Sequence, residues 1–142
     1  MIKWVVRGVV LLWAALFLLT GVQGLSAAAP YFDLAGPIFD PTGKNSIRAD
    51  LSSFFLVAAA FAVIGAVRPG ASRALLVPAA LFGTALVGRL LGLTVFGDTI
   101  TAAITQAMIA EAISVVLMLG AYWHLSRPTP ATLPATGTDP AA

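Results

Sequence analysis

Apolar residues fill four long stretches of the chain, and short polar or glycine- and proline-containing segments separate them. The stretches cover residues 5–29, 47–67, 74–96 and 100–125. An α-helix needs about 20 apolar residues to cross the hydrocarbon core of a bilayer. Each stretch is long enough, so the pattern predicts an all-α integral membrane bundle of four transmembrane helices.

Short connections join the last three stretches. They contain Pro69, Gly70 and Gly97, residue types that end helices and let the chain turn. Spacers of this length predict antiparallel neighbours joined by short loops. Residues 1–125 then form one transmembrane domain, whereas the segment 126–142, rich in Pro, Thr and Ala, is expected to be a disordered tail.

The first stretch has a second interpretation. A basic start, an apolar run and the small residues Ala27, Ala28 and Ala29 are also typical of a cleaved signal peptide. Pro30 would follow the cut, which is a poor position for it, and the run is long enough to span. We expect residues 1–29 to be retained, with cleavage as the alternative.

Composition excludes several classes of protein. Hydrophobic residues make up 59% of the chain and charged residues 10%, against roughly 25% charged residues in soluble domains. The net charge of +2 is carried by scattered basic residues, which does not fit a nucleic-acid-binding face. The chain has no Cys and a single His, so we predict neither a metal site nor a cofactor.

Lys and Arg residues divide unequally between the two sides of the predicted bundle. The richer side would carry Lys3, Arg7, Arg68, Arg73 and Arg127, and the other side Lys44 and Arg48. Because cytoplasmic flanks carry the excess of Lys and Arg, both termini are expected in the cytoplasm.

The most informative residues are polar ones at positions where lipid favours apolar side chains. They are Arg48, Asp50, Arg89, Gln106 and Glu111. A charge near the bilayer centre costs at least ~2.5 kcal/mol, so such residues usually face the bundle interior and pair. At a rise of about 1.5 Å per residue, Glu111 lies about 15 Å and Arg89 about 10 Å below the outer surface. We therefore expect the opposite charges to converge in the outer half of the membrane.

Two interpretations of this cluster remain open. It could line an outward-facing polar site for a headgroup or small ligand, or it could be a charge-paired clasp that fixes helix register. Gly83, Gly88 and Gly92 on the third helix predict close packing against a neighbouring helix around Arg89.

These residues also carry a family resemblance. The run Asn45-Ser46-Ile47-Arg48-Ala49-Asp50-Leu51, the later Gly88-Arg89-Leu90 and Glu111 in the last helix resemble a bacterial family of small four-helix membrane proteins known only as a domain of unknown function. The resemblance covers about residues 5–125. It implies a four-helix bundle and an integral membrane location, and it implies no reaction. We expect the membrane to be the bacterial inner membrane.

We therefore expect a non-enzymatic membrane protein that binds a lipid-like or small amphipathic molecule, or a membrane partner such as a second copy, through the Arg/Asp/Glu cluster. One alternative is a membrane-embedded isomerase-type enzyme that uses Glu111 to move a proton. Another is a small transporter, which would have to oligomerise because four helices are few for alternating access.

Overall fold

The fold is entirely helical over the residues that the structure describes. The computed structural model describes residues 2–26 and 41–127. These residues form the α-helices α1 (Ile2–Leu25), α2 (Pro41–Val67), α3 (Leu76–Leu91) and α4 (Ala102–Ser126), and no strand. A 3₁₀ turn (Ser72–Leu75) leads into α3, and a π-helical turn (Gly92–Phe96) continues it. The predicted all-α class with four helices is confirmed.

All four helical segments are long and apolar enough to cross a membrane. The candidate spans are Ile2–Leu25, Thr42–Val67, Ser72–Phe96 and Ala102–Ser126. Much of their outward surface is apolar, as Leu12 (65% exposed) and Val116 (72% exposed) illustrate. Side chains of this type on the outside of a bundle are suited to contact with acyl chains rather than water.

Several helix ends differ from the sequence prediction. Helix α2 begins at Pro41 rather than near residue 47, because hydrophobic patterning marks where a helix lies in lipid and not where its backbone hydrogen bonds begin. Helix α4 begins at Ala102, after Thr101, whose hydroxyl accepts a hydrogen bond from the Ile104 N–H (3.2 Å). Helix α4 continues to Ser126, the first residue of the predicted tail. The remainder of that tail, from residue 128, and residues 27–40 lie outside the described residues.

The third span changes helix type at both ends. Pro78 lies in the first turn of α3, where the missing N–H of proline is tolerated. At the other end the N–H groups of Gly97 and Asp98 both bond to the Gly92 carbonyl, the latter at 3.0 Å. Gly97 has φ 75°, the left-handed conformation that favours glycine at a helix end.

An aromatic cluster forms the centre of the core. Phe82 of α3, only 2% exposed, packs edge-on against Trp13 of α1 (ring centroids 5.3 Å apart) and Phe54 of α2 (4.9 Å). Phe17 also stacks at a tilt on Trp13, with centroids 4.3 Å apart. These rings hold the first three spans together, because offset and edge-to-face pairs contribute beyond the apolar area that they bury.

A buried hydrogen bond adds the fourth span to this core. The indole Nε1–H of Trp13 donates to the hydroxyl of Ser114 on α4 at 2.9 Å. That hydroxyl donates in turn to the carbonyl of Ala110 at 2.7 Å. Both the indole and the serine are therefore satisfied away from water, as buried polar groups require.

Two glycines allow close helix contacts. A Cβ at Gly21 of α1 would lie 2.9 Å from the Leu56 Cγ of α2, and a Cβ at Gly65 of α2 would lie 2.6 Å from the Leu75 Cγ. Real Cβ atoms essentially never approach so closely, so a larger residue at either position would force the neighbouring leucine or its helix to shift. The tight interfaces of the bundle are thus α1 against α2, and α2 against the start of the third span.

Candidate functional site

An ion pair between α3 and α4 is the central feature of the candidate site. The Nε–H of Arg89 donates to Oε1 of Glu111 at 2.8 Å. The side chain of Glu111 is 8% exposed and that of Arg89 is 34% exposed. The carboxylate is therefore enclosed by the bundle, while the guanidinium reaches from the interior toward the surface.

The pair leaves hydrogen-bonding groups of both residues unused. Oε2 of Glu111 is buried and has no hydrogen-bond partner within the described chain. Arg89 bonds to the described residues through Nε alone, so its Nη1 and Nη2 groups remain as donors. A guanidinium fork of this kind binds phosphate or carboxylate oxygens in pairs. The site therefore offers several donors and one buried acceptor side by side.

Next to the pair, the buried hydroxyl of Ser114 already has hydrogen-bond partners within the protein. Ser114 lies three residues after Glu111, and both side chains are buried. The Ser114 hydroxyl accepts from Trp13 and donates its single proton to Ala110, so it has no donor left for a ligand. Beside Ser114, the polar groups still without a partner among the described residues are Oε2 of Glu111 and the Nη groups of Arg89.

The structure does not bring Asp50 and Gln106 to the pair. Both are exposed, and no ion pair joins Asp50 to Arg89. Helix geometry explains this, because successive residues are about 100° apart around the axis. Asp50 is thus about 200° from the buried Ser52, and Gln106 is about 140° from Glu111. Arg48 lies half-buried on α2.

The predicted glycine face of the third span is only partly packed. A Cβ at Gly83 would meet Val115 of α4 at an ordinary 3.7 Å. Gly92 is buried by the Asp98 carboxylate, which folds back over it, and not by another helix. Gly88 is exposed and has nothing within 4 Å of an added Cβ. The expected helix contact around Arg89 therefore does not form at Gly88 or Gly92.

An apolar groove lies on the bundle surface between Phe54 of α2 and the third span. It has a volume of about 630 Å³ and is lined by Phe54 of α2 and, on the third span, by residues from Leu76 to Ala85. Ala85 precedes Arg89 by four residues, about one helical turn. Gly88, which is exposed and has no side chain, follows Ala85 by three residues and directly precedes Arg89. Sequence reasoning missed this groove, although the small residues Ala80, Thr84, Ala85 and Gly88 on one side of the helix are a signal that could have indicated it.

No group of three His, Asp or Glu side chains that could hold a metal ion occurs within residues 2–26 and 41–127. Comparison of the chain with protein-family models, curated proteins and solved structures gave no match. The resemblance to a small membrane-protein family of unknown function stays a prediction.

Proposed function

We propose that this chain is a multi-pass membrane protein that binds a lipid-like amphipathic molecule without transforming it. The head of the ligand contacts Arg89 and Glu111, and its apolar part lies in the groove between Phe54 and the third span. The ligand class follows from the unused atoms. The Nη groups of Arg89 select an anionic oxygen, and Oε2 of Glu111 selects a neighbouring hydroxyl or ammonium donor.

The single observation that carries the proposal is the unsatisfied, buried Oε2 of Glu111 beside a partly exposed guanidinium. A clasp that only fixed helix register would gain most by pairing both carboxylate oxygens with the guanidinium fork, because unpaired buried polar atoms are costly. Here only one oxygen is paired, and the remaining groups lie about one turn from an apolar groove. A head with a donor and an anionic oxygen satisfies both residues at once.

The membrane setting of the proposal is the bacterial inner membrane, with neighbouring helices antiparallel and both termini cytoplasmic. The support is the excess of Lys and Arg at Lys3, Arg7, Arg68, Arg73 and Arg127. In this orientation the Arg89–Glu111 pair serves the outer leaflet.

Mass spectrometry of the intact chain in a neutral detergent tests the proposal by measuring co-purified lipid. We expect the wild-type protein to retain a phospholipid, and Glu111→Gln to bind that lipid about tenfold or more weakly, because hydrogen bonds to charged groups are worth about 1.5–3 kcal/mol. The matched control is Lys44→Gln, which alters an exposed cation on α2 and should leave binding unchanged.

A second variant separates ligand binding from a clasp. Gly88→Leu adds a side chain in open space one residue before Arg89 and three after Ala85 of the groove, so the fold should tolerate it, while we expect it to obstruct a ligand that contacts both. Folded Glu111→Gln and Gly88→Leu proteins that retain as much lipid as the wild type would contradict the proposal and favour the clasp.

A further inference from the structure

One end of the bundle gathers cations from distant parts of the chain. The Lys3 ammonium donates to the Arg127 carbonyl at 2.9 Å, which places the start of α1 beside the end of α4. A small surface pocket is lined by Arg7 together with Ala66 and Val67, so the end of α2 lies there too. This basic end comprises Lys3, Arg7, Arg68, Arg73 and Arg127. Of the acidic residues in the described ranges, Asp50 and Asp98 are at the other ends of their spans and Glu111 is inside α4.

The cations of the basic end differ in what they contact. Arg127 stacks on the Trp123 ring, with its Cζ 3.9 Å from the centroid, and Arg7 lies 5.2 Å from the Trp4 ring centroid. The side chains of Arg68 and Arg73, by contrast, are exposed and make no hydrogen bond or ion pair with any described residue. Their guanidinium groups flank the tight turn between α2 and the third span, where Gly70 adopts φ 78°.

A polar notch lies beside this turn. It has a volume of about 350 Å³ and is lined by Gly70, Ser72, Arg73, Tyr122, Leu125 and Ser126. The notch therefore combines one guanidinium with hydroxyl groups from the turn and from the last turns of α4. Unlike the α2–α3 groove, its lining is mainly polar. The notch lies at the end of α2, the start of the third span and the end of α4. If the helices cross the membrane, span ends lie at the depth of the lipid headgroups.

We propose that this notch binds the phosphate group of an anionic phospholipid. Arg73 pairs with the phosphate oxygens, Tyr122 and Ser72 donate hydroxyl hydrogen bonds to them, and Arg68 adds long-range attraction. Basic pockets between spans at the membrane surface are suited to such headgroups, and each nearby Lys or Arg strengthens binding. Leu125 provides an apolar wall along which an acyl chain can continue toward the membrane. The site is at the opposite end of α4 from Thr101 and shares no residue with the Arg89–Glu111 site.

The test titrates the purified full-length chain in neutral detergent with dioleoylphosphatidylglycerol or dioleoylphosphatidylcholine and counts bound lipid by native mass spectrometry. We expect the wild type to prefer the anionic lipid. Arg73→Gln should weaken its binding about fivefold and Arg68→Gln/Arg73→Gln about 25-fold, the fold-changes that correspond to the usual contribution of one cation each. Lys44→Gln removes the same charge at the start of α2 and should stay within about twofold of the wild type.

Tyr122→Phe separates a built site from general attraction, since it removes a hydroxyl and no charge. Loss of one hydrogen bond predicts about two- to tenfold weaker binding. Equal weakening by Arg73→Gln and Lys44→Gln, or full binding by Tyr122→Phe, would overturn the proposal. Sodium phosphate that displaces the lipid at equal concentration would also overturn it, in favour of a free-phosphate site. The titration is therefore repeated in the Glu111→Gln background, which removes the lipid expected at the Arg89–Glu111 site: binding that Arg73→Gln weakens should persist there, so failure here is distinguishable from failure of the proposed function.

Discussion

Replacing Arg89 by Met should destabilise the bundle more than replacing Glu111 by Gln, because the two side chains are not equally enclosed. Removing the guanidinium leaves a carboxylate that is 8% exposed without its partner. Breaking a buried pair in this way costs about 3–5 kcal/mol, and the 34% exposure of Arg89 argues for the lower end, about 3 kcal/mol. Removing the carboxylate charge leaves a guanidinium that can move toward the surface and a glutamine oxygen that can still accept from Nε, which costs about 1 kcal/mol.

The double variant completes a thermodynamic cycle. Arg89→Met/Glu111→Gln leaves one neutral buried amide without a partner, a cost of about 2 kcal/mol, against about 4 kcal/mol for the sum of the single changes. The coupling of about 2 kcal/mol is measurable by reversible unfolding in mixed micelles, followed by far-ultraviolet circular dichroism. Lys44→Met is the control and should lie within about 0.5 kcal/mol of the wild type. Additive single changes, or a greater cost for Glu111→Gln than for Arg89→Met, would refute the reasoning.

Three further predictions concern the packing of the bundle and use the same unfolding assay. Gly21→Ala should destabilise the protein by about 1–3 kcal/mol through overpacking. Gly88→Ala, in open space, should be neutral or stabilise the protein by up to about 1 kcal/mol. Equal effects of the two substitutions would show that α1 and α2 are not in close contact. Ser114→Ala should cost about 1–3 kcal/mol, because the indole N–H of Trp13 loses its buried acceptor, and a matching loss in a Trp13→Phe background would contradict that assignment. Thr101→Ala should cost about 1 kcal/mol by removing the helix cap, with Thr99→Ala as the control that should have no effect.

The helical class and the number of spans could be predicted from sequence because lipid imposes a simple rule. A spanning segment must be apolar over about 20 residues, and that signal survives without any knowledge of packing. The approach of Arg89 to Glu111 could be predicted for a similar reason, because two opposite charges at comparable depth in a membrane usually pair with each other. Depth along a helix can be counted directly from the sequence.

Direction around the helix could not be predicted as well. Asp50 and Gln106 have suitable depth, but their angular positions turn them away from the pair, and the core direction of α2 emerges only when buried residues such as Ala62 are known. The glycines illustrate the same difficulty. Gly21 and Gly65 make close contacts and Gly88 makes none, yet in a sequence all three are simply glycines in apolar runs.

The ion pair also has a consequence for how the protein enters the membrane. Each of the last two spans carries one charge that would cost about 2.5–3.5 kcal/mol at the centre of an isolated helix. Pairing relieves the penalty for both partners at once, and Arg89 is synthesised 22 residues before Glu111. We therefore expect the third span to be held more firmly in the membrane once the fourth lies beside it. Biogenesis of this half of the protein is thus expected to proceed by joint integration of two segments rather than by release of one segment at a time.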